Sequence, residues 1–314
     1  MAHFADRLAD AVDAKHNPCA VGLDPRFEAI PGPLRQQVLG DAPLTCEGAA
    51  DLMRVFCREV LDLIAPKVPA VKVQAAFFER FGPPGYQAYV DTVAHAKRAG
   101  LIVIADVKRG DIGSTAEAYA EGHLGGARVD GEELFDLGAD ACTVSPYFGL
   151  DGVEPFINRA VQRDRGLFVL VRTTNPSADR IQNLSCKGVP FFMRMGALVH
   201  EWGKEHVGRC GYSCVGAVVA GTQPIDAEKL RRLMPHAIFL VPGFGAQGGG
   251  PAEVTRTFDA RGRGALVSAS RSVIFAHACS PYDRQFGEAR WREAVAAATD
   301  AMIAQVRAVT GMAP

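Results

Sequence analysis

The sequence predicts an α/β fold, a single (β/α)8 TIM barrel with a parallel eight-stranded core. Short β-rich runs recur along the chain, helical patterns separate them, and eight such units suit a chain of 314 residues. In chain order the runs are CAVGLD (19–24), AVKVQAAF (70–77), LIVIADVK (101–108), ACTVSPY (141–147), GLFVLVRT (166–173), CVGAVVAG (214–221), AIFLVPGF (237–244) and GALVSASR (264–271).

Helix-like stretches follow the runs, most clearly at 47–65, 83–100 and 225–234. Strands that alternate with helices in this way indicate a parallel sheet. A doubly wound open sheet is the alternative architecture. Its dinucleotide-binding version would place a G-x-G-x-x-G motif after the first strand, and no such motif follows CAVGLD. The closed barrel is therefore the favoured prediction.

We expect one domain over residues 1–314, because no linker rich in Pro, Gly or Ser divides the chain. Two additions to the barrel are expected. Residues 174–213 form a long insertion with its own helix near 189–206, which we expect to act as a lid or buttress at the barrel mouth. A C-terminal helix is predicted at about 284–309 and should pack against the outside of the barrel.

Composition and charge limit the classes of partner. Lys and Arg total 34 and Asp and Glu total 35, so no overall field favours nucleic acid or an anionic membrane. No segment approaches the roughly 18 apolar residues of a membrane-spanning helix. The first 17 residues carry charges where a signal peptide would be apolar. We therefore expect a cytoplasmic protein with a small-molecule ligand.

The eight cysteines are scattered through a chain that is too long to need disulfides, so most should be small core residues. Cys210 and Cys214 lie in C-G-Y-S-C, but no second pair stands at the spacing of a zinc site. The sequence therefore predicts no metal site.

The segment LIVIADVKRGDIGST (101–115) ends a buried run abruptly in charged residues. Side chains of a regular strand alternate with period two, so Asp106 and Lys108 should point the same way. Burying these charges costs several kcal/mol unless they are paired. We therefore predict a functional ion pair at the end of the strand. A solvated turn whose Asp caps the next helix is the alternative interpretation.

Polar residues at the carboxyl ends of the strands should converge, because barrels of this kind place their chemistry at that face. The residues expected there are Asp24, Lys72, Asp106, Lys108, Thr173, Thr174, Asn175, Ser268, Ser270 and Arg271.

A phosphate site is predicted between the last two strands. The Gly-rich segment PGFGAQGGG (242–250) can expose backbone N–H groups, and barrels often hold phosphate at this position. Arg271 adds a planar, permanently charged group, and Gln247 can donate through its amide. A flexible surface turn beside an ordinary surface arginine is the alternative.

These motifs together resemble the orotidine 5′-phosphate decarboxylase family, in its longer bacterial (type 2) form. The matching segments are VGLDP (21–25), AVKVQAAFFERFG (70–82), IVIADVKRGDIGSTAEAYA (102–120), VSPYFGLDGVEPF (144–156), VLVRTTNPSA (169–178), VPGFGAQGG (241–249) and SASRSVIFA (268–276). The resemblance implies decarboxylation of orotidine 5′-monophosphate to UMP and carbon dioxide, in de novo pyrimidine synthesis. It also implies that neither a metal nor an organic cofactor takes part.

The resemblance assigns roles to individual residues. Lys72, Asp106, Lys108 and Asp111 match the family's chain of alternating charges, with Asp111 implied to reach the partner's active site in a homodimer. Thr115 is likewise implied to contact substrate across that interface. Asp24 matches the ribose-hydroxyl ligand, and Thr174 stands where shorter members have a Ser that contacts the pyrimidine. The residues matching the phosphate site are Gln247, Gly248 and Arg271.

Three other functions stay open at this point. Related barrels that act on keto-sugar phosphates, as decarboxylases or aldolases, share D-x-K-x-x-D but use a divalent metal and have an acidic residue where Lys72 stands. A Schiff-base aldolase could use Lys72 or Lys108. A non-catalytic barrel that binds a phosphorylated ligand is the alternative outside enzymes.

Overall fold

The computed structural model describes residues 2–245 and 250–312. Eight parallel strands close into a barrel, and the last strand pairs with the first. They are β1 (Cys19–Leu23), β2 (Ala70–Gln74), β3 (Ile102–Arg109), β4 (Ala141–Val144), β5 (Gly166–Arg172), β6 (Val215–Val219), β7 (Phe239–Pro242) and β8 (Ala265–Ala269). The predicted (β/α)8 barrel is confirmed, and each β-rich run supplies one strand. Pairing of β8 with β1 excludes the open sheet.

Helices lie outside the strands. In chain order they are α1 (Phe4–Lys15), α2 (Gly32–Leu39), α3 (Cys46–Ile64), α4 (Ala76–Glu79), α5 (Gly82–Arg98), α6 (Gly113–Leu124), α7 (Leu150–Gln162), α8 (Ala178–Gln182), α9 (Phe191–Gly203), α10 (Pro224–Leu233), α11 (Pro251–Thr255), α12 (Arg271–Ile274), α13 (Tyr282–Gln285) and α14 (Trp291–Thr310). Short 3-10 turns cover Phe27–Ala29 and Ala276–Ala278. Antiparallel hairpins pair Ala127–Val129 with Glu132–Phe135, and Ser185–Cys186 with Val189–Pro190.

The strands are apolar because both of their faces are covered. β1, β4, β6 and β8 are buried along their whole length. Parallel strands between a packed interior and an outer layer of helices have this continuous apolar pattern. Gly22 of β1 meets a further requirement, since a Cβ there would lie 1.9 Å from Ser270 Oγ, just beyond β8. Glycine thus lets the chain after the last strand approach the first.

A buried carboxylate links elements at the amino ends of the strands. Asp140, just before β4, is completely buried and accepts hydrogen bonds from Arg7 of α1 at 2.5 Å and Lys97 of α5 at 2.6 Å. It also accepts from the backbone N–H of Val103 in β3 at 2.9 Å, and Arg165 lies 3.8 Å away. This network fastens two outer helices to the bottom of the barrel.

The insertion between β5 and β6 has two parts. Helix α9 packs against β5 and β6 as an ordinary barrel helix. The added segment therefore comprises residues 173–190, which contain α8 and the second hairpin. Arg172, at the end of β5 and 2% exposed, donates hydrogen bonds to Asp179 at 2.8 Å and to Gln182 at 3.2 Å, both in α8. These bonds hold the added segment against the barrel.

The C-terminal part of the chain covers the outside of the barrel. Helix α14 packs against α3, and the ring of Trp291, which is fully buried, lies 5.4 Å from that of Phe56. In the described ranges, no helix combines the length and apolar character needed to cross a membrane.

Candidate active site

A cavity of about 570 Å³ opens at the carboxyl ends of the strands. The chemically important residues that line it are Asp24, Lys72, Asp106, Lys108, Thr143 and Thr174. They come from β1 to β5 or from the residues that directly follow these strands. The structure therefore brings together the polar residues predicted from the first three strands and Thr174 after the fifth.

Asp106 lies at the centre of the polar side of this cavity and is 4% exposed. Its Oδ2 accepts hydrogen bonds from Lys72 Nζ at 2.6 Å and Gln74 Nε2 at 2.9 Å. Its Oδ1 accepts from Lys108 Nζ at 2.5 Å and Thr143 Oγ1 at 2.9 Å. Four donors therefore surround one carboxylate, which fills its ordinary capacity as an acceptor.

The charges of this cluster stabilise one another. Burial by itself opposes ionisation of Asp106, but the ammonium groups of Lys72 and Lys108 outweigh it and hold the pKa of this carboxyl well below its usual value. Burial likewise disfavours the charged form of Lys72, and the carboxylates of Asp106 and Asp24 reverse that effect and raise the pKa of Lys72. The cluster is therefore an ion pair network at neutral pH, with Lys72 as an ammonium.

A bulge in β3 creates the geometry of the cluster. Residues 106–108 of β3 stand opposite a single residue of β4, Thr143, because the pairing register shifts there. Lys108 adopts a left-handed backbone conformation with φ of 46°. The regular alternation expected from the sequence therefore does not apply, and the side chains of Asp106 and Lys108 meet across a bulge instead. The Lys108 side chain is 46% exposed, so it also faces the open cavity.

Asp24 contributes an acceptor that the protein leaves unused. Its Oδ1 lies 3.6 Å from Lys72 Nζ, which is an ion-pair distance but too long for a hydrogen bond. This buried oxygen has no hydrogen-bond partner within the described residues. Unused buried acceptors are uncommon in folded proteins. Asp24 is thus positioned to accept a hydrogen bond from a ligand.

The start of the added segment also lines the cavity. Thr173 Oγ1 donates a hydrogen bond to Asn175 Oδ1 at 2.6 Å and accepts one from Gln182 Nε2 at 2.7 Å. Gln182 also accepts from the backbone N–H of Thr173 at 3.0 Å. Thr174 lies between these tied residues and lines the cavity. The segment therefore forms a braced wall of the site.

The remaining predicted residues lie elsewhere. Asp111 Oδ1 accepts a hydrogen bond from the adjacent backbone N–H of Ile112, and Thr115 is exposed near the start of α6. Neither lines the cavity. Arg271 begins α12 and lines a different cavity together with Gly245. Gln247 and Gly248 fall outside the described residues.

Two contributors to the cluster were missed by sequence reasoning. Gln74 stands two residues after Lys72 in β2, so the period-two rule applied to Lys72 could have found it. Thr143 offered no such signal. Its hydroxyl reaches Asp106 because of the bulge in the neighbouring strand, which the sequence pattern does not reveal.

The described ranges contain no group of three or more His, Cys, Asp and Glu side chains that could hold a metal ion. All eight cysteines lie in these ranges and are free thiols. Burial raises the pKa of Cys210 to about 11 and that of Cys214 to about 12, so both thiols stay protonated at neutral pH.

Comparison with known proteins agrees with this geometry. The sequence profile of the orotidine 5′-phosphate decarboxylase / HUMPS family matches residues 48–278. A protein from Rhodopirellula baltica named orotidine 5′-phosphate decarboxylase is 44% identical over 307 residues, covering 98% of this chain and all of the relative. One of the same name from Caldicellulosiruptor bescii is 35% identical, covering 88% of this chain and 91% of the relative.

A solved structure of OMP decarboxylase from Leishmania donovani superposes with a TM-score of 0.74 at 27% identity, covering 99% of this chain and all of that one. The fold, the order of the motifs and the extent of the sequence matches therefore agree. This chain belongs to the orotidine 5′-phosphate decarboxylase / HUMPS family.

Proposed function

We propose that this protein is a carboxy-lyase that decarboxylates orotidine 5′-monophosphate to UMP and carbon dioxide in de novo pyrimidine synthesis, without a cofactor. The observation that carries the proposal is the ion pair network in which the buried Lys72 and Asp106 meet the partly exposed Lys108 in an open cavity. Similarity over 88% or more of the chain to relatives that bear this enzyme's name supports the same conclusion.

The reaction needs a cation beside the carbon that loses its carboxylate. When the bond from C6 to the carboxylate breaks, its electron pair stays on C6, and no cofactor takes up the charge. An ammonium already in position stabilises that charge without reorganisation. We assign this role to Lys108, whose Nζ then donates a proton to C6 as general acid.

Asp106 and Lys72 complete the charge arrangement. Asp106 is held ionised by its neighbours, so its carboxylate would repel the carboxylate of the substrate and favour its departure. Lys72 contacts Asp106 at 2.6 Å and Asp24 at 3.6 Å, and so keeps the carboxylates in place.

The alternative chemistries have less support. In the metal-dependent barrels an acidic residue stands at the position of Lys72, whereas here an ammonium already neutralises the nearby carboxylates. A Schiff-base mechanism needs a neutral amine, and the raised pKa of Lys72 keeps it protonated.

The rest of the nucleotide can be assigned to residues of this cavity and to the predicted phosphate site. The unused Oδ1 of Asp24 would accept from a ribose hydroxyl, and Thr174 would contact the pyrimidine ring. The phosphate would bind Gln247, Gly248 and Arg271. Within residues 2–245 and 250–312, no hydrogen bond or ion pair involves the Arg271 side chain, so its charge is available to an anion.

We further propose a homodimer in which Asp111 and Thr115 reach the partner's site. Exposed apolar side chains lie near these residues in sequence or beside the cavity: Ile112 is 54% exposed and Tyr147 is 84% exposed. Large apolar side chains exposed at the rim of a site suit a subunit interface. Mixing Lys72→Ala and Asp111→Ala proteins tests it, because a hybrid dimer would contain one intact site. No recovered activity despite proven subunit exchange would count against the shared site.

We place the protein in the cytoplasm. Eight free thiols in a chain without a disulfide framework suit a reducing compartment. Fractionation of cells that express the protein would check this assignment.

The substrate is tested by following the loss of orotidine 5′-monophosphate optically with the purified protein and a metal chelator. We expect full turnover with chelator present. Activity that requires added magnesium would instead favour the keto-sugar phosphate class, and absence of any turnover would refute the proposed reaction.

A further inference from the structure

The bulge in β3 interrupts the backbone hydrogen bonding between β3 and the neighbouring strand β4. Between the paired positions Ala105 and Arg109, three residues of β3 have only one residue of β4 opposite them. Extra residues of this kind leave the regular ladder of backbone hydrogen bonds. Val107 is 7% exposed, so its N–H group is buried, and an unmet buried donor costs about 1–3 kcal/mol. Another group must therefore accept the hydrogen bonds that the N–H groups of the bulge donate.

Thr143 is that group. Its Oγ1 accepts hydrogen bonds from the backbone N–H of Val107 at 3.0 Å and of Lys108 at 2.9 Å. The same hydroxyl donates to Asp106 Oδ1 at 2.9 Å. Thr143 is 1% exposed, so water does not compete for these bonds. One buried hydroxyl thus contacts all three residues of the bulge.

The contacts bear directly on Lys108. Its left-handed backbone, with φ of 46°, is a conformation that costs a non-glycine residue about 1–3 kcal/mol unless its surroundings enforce it. The hydrogen bond from Lys108 N to Thr143 Oγ1 is one such constraint. The hydrogen bond to Asp106 fixes the carboxylate that Lys108 Nζ contacts at 2.5 Å.

We propose that Thr143 is a positioning residue for decarboxylation, whose hydroxyl holds the β3 bulge so that Asp106 and Lys108 face the reacting carbon together. This inference rests on the proposed function and adds to it a residue that need not touch substrate. A side chain of the same shape without a hydroxyl should fill the space but make none of the three hydrogen bonds that hold the bulge.

Thr143→Val and Thr143→Ser test the hydroxyl directly, because valine keeps the shape and serine keeps the oxygen. Thr299→Val is the matched control: Thr299 is also fully buried, but its hydroxyl donates only to Val295 O, within α14. Since misplacement of about 1 Å can slow a reaction about a hundredfold, we expect a loss of that order in kcat for Thr143→Val, with affinity for UMP retained. Thr143→Ser and Thr299→Val should stay close to wild type.

Amide hydrogen exchange gives a second readout that does not depend on turnover. The amides of Val107 and Lys108 should be protected in the wild type and in Thr143→Ser, and should exchange faster in Thr143→Val. Unchanged protection in Thr143→Val would overturn the inference, as would unchanged kcat once protection is lost. If the wild type fails to turn over orotidine 5′-monophosphate, the proposed function fails, and the exchange experiment still decides whether Thr143 holds the bulge.

Discussion

Asp106 and Asp140 are two buried carboxylates of similar chemistry at opposite ends of one barrel. Asp106 is 4% exposed and contacts Lys72 and Lys108, whereas Asp140 is completely buried and contacts Arg7 and Lys97. Both carboxylates also accept hydrogen bonds from uncharged N–H or O–H groups. Burial and ion pairing therefore do not distinguish a functional carboxylate from a structural one.

The difference lies in where the cations come from. Arg7 and Lys97 belong to the outer helices α1 and α5, so the bonds of Asp140 fasten those helices to the amino ends of the strands. Lys72 and Lys108 come from neighbouring barrel strands and line a cavity at the carboxyl ends. In (β/α)8 barrels that end carries the chemistry and the other contributes stability. The functional carboxylate is therefore the one whose cationic partners also line a cavity where a ligand can bind.

The largest effect is expected from Lys108→Ala. Loss of both the fixed charge and the proton donor should lower kcat by about a thousandfold or more. Binding of UMP should stay measurable by calorimetry, since the rest of the cavity is unchanged. Retained turnover would remove Lys108 from its role as acid.

Asp140→Asn should lower stability and leave turnover unchanged. Breaking a buried ion pair from one side typically costs about 3 kcal/mol or more, so the free energy of unfolding in urea should fall by about that amount. The value of kcat for the folded protein should not change, because the substitution is at the far end of the barrel. Asp106→Asn is the matched variant, and we expect it to lose turnover. Loss of kcat in folded Asp140→Asn would show that Asp140 is not purely structural.

The pH dependence of stability distinguishes the contribution of Asp106 from that of a third buried group, His123. Burial, together with the charge of Arg109, lowers the pKa of His123 to about 4. The imidazole of the unfolded chain has a pKa of about 6.5. Between this pH and about 4, His123 is therefore protonated in the unfolded chain but stays neutral in the folded one. Stability should therefore fall by up to about 3 kcal/mol between pH 6.5 and 4. The lowered pKa of Asp106 means that its own contribution is kept above about pH 4 and lost only in stronger acid.

Urea unfolding of the wild type and His123→Asn over this pH range measures the effect. The variant should show a flatter dependence of unfolding free energy on pH. Identical slopes for the two proteins would show that His123 is not the group responsible.

The smallest effect is expected from substitution of Arg271, a cation that contacts neither Asp106 nor Asp140. A hydrogen bond between charged groups contributes about 2 kcal/mol, so Arg271→Ala should weaken UMP binding by roughly thirtyfold. Binding of uridine, which lacks the phosphate, should not change. Arg98→Ala, at an exposed position lining a different cavity, serves as the control. Unchanged UMP affinity in Arg271→Ala would contradict the phosphate assignment.

Sequence reasoning reached much of the site. Asp24, Lys72, Asp106 and Lys108 were expected together from the ends of three strands, and the structure places all four around one cavity. Gln74 could have been added by the same alternation. Asp140 was not recognised, because its partners Arg7 and Lys97 are far from it in the chain and no local pattern links them.

The closed barrel, its strand order and the face that carries charge could be predicted from the amino-acid sequence, because apolar runs, turn residues and helical patterns are local properties of the chain. How Asp106 and Lys108 meet could not, since the bulge depends on how β3 pairs with β4. The same pairing explains why Thr143 accepts hydrogen bonds from the backbone N–H groups of the bulge. Such contacts arise from strand pairing between distant segments, and pairing register is a property of the folded molecule.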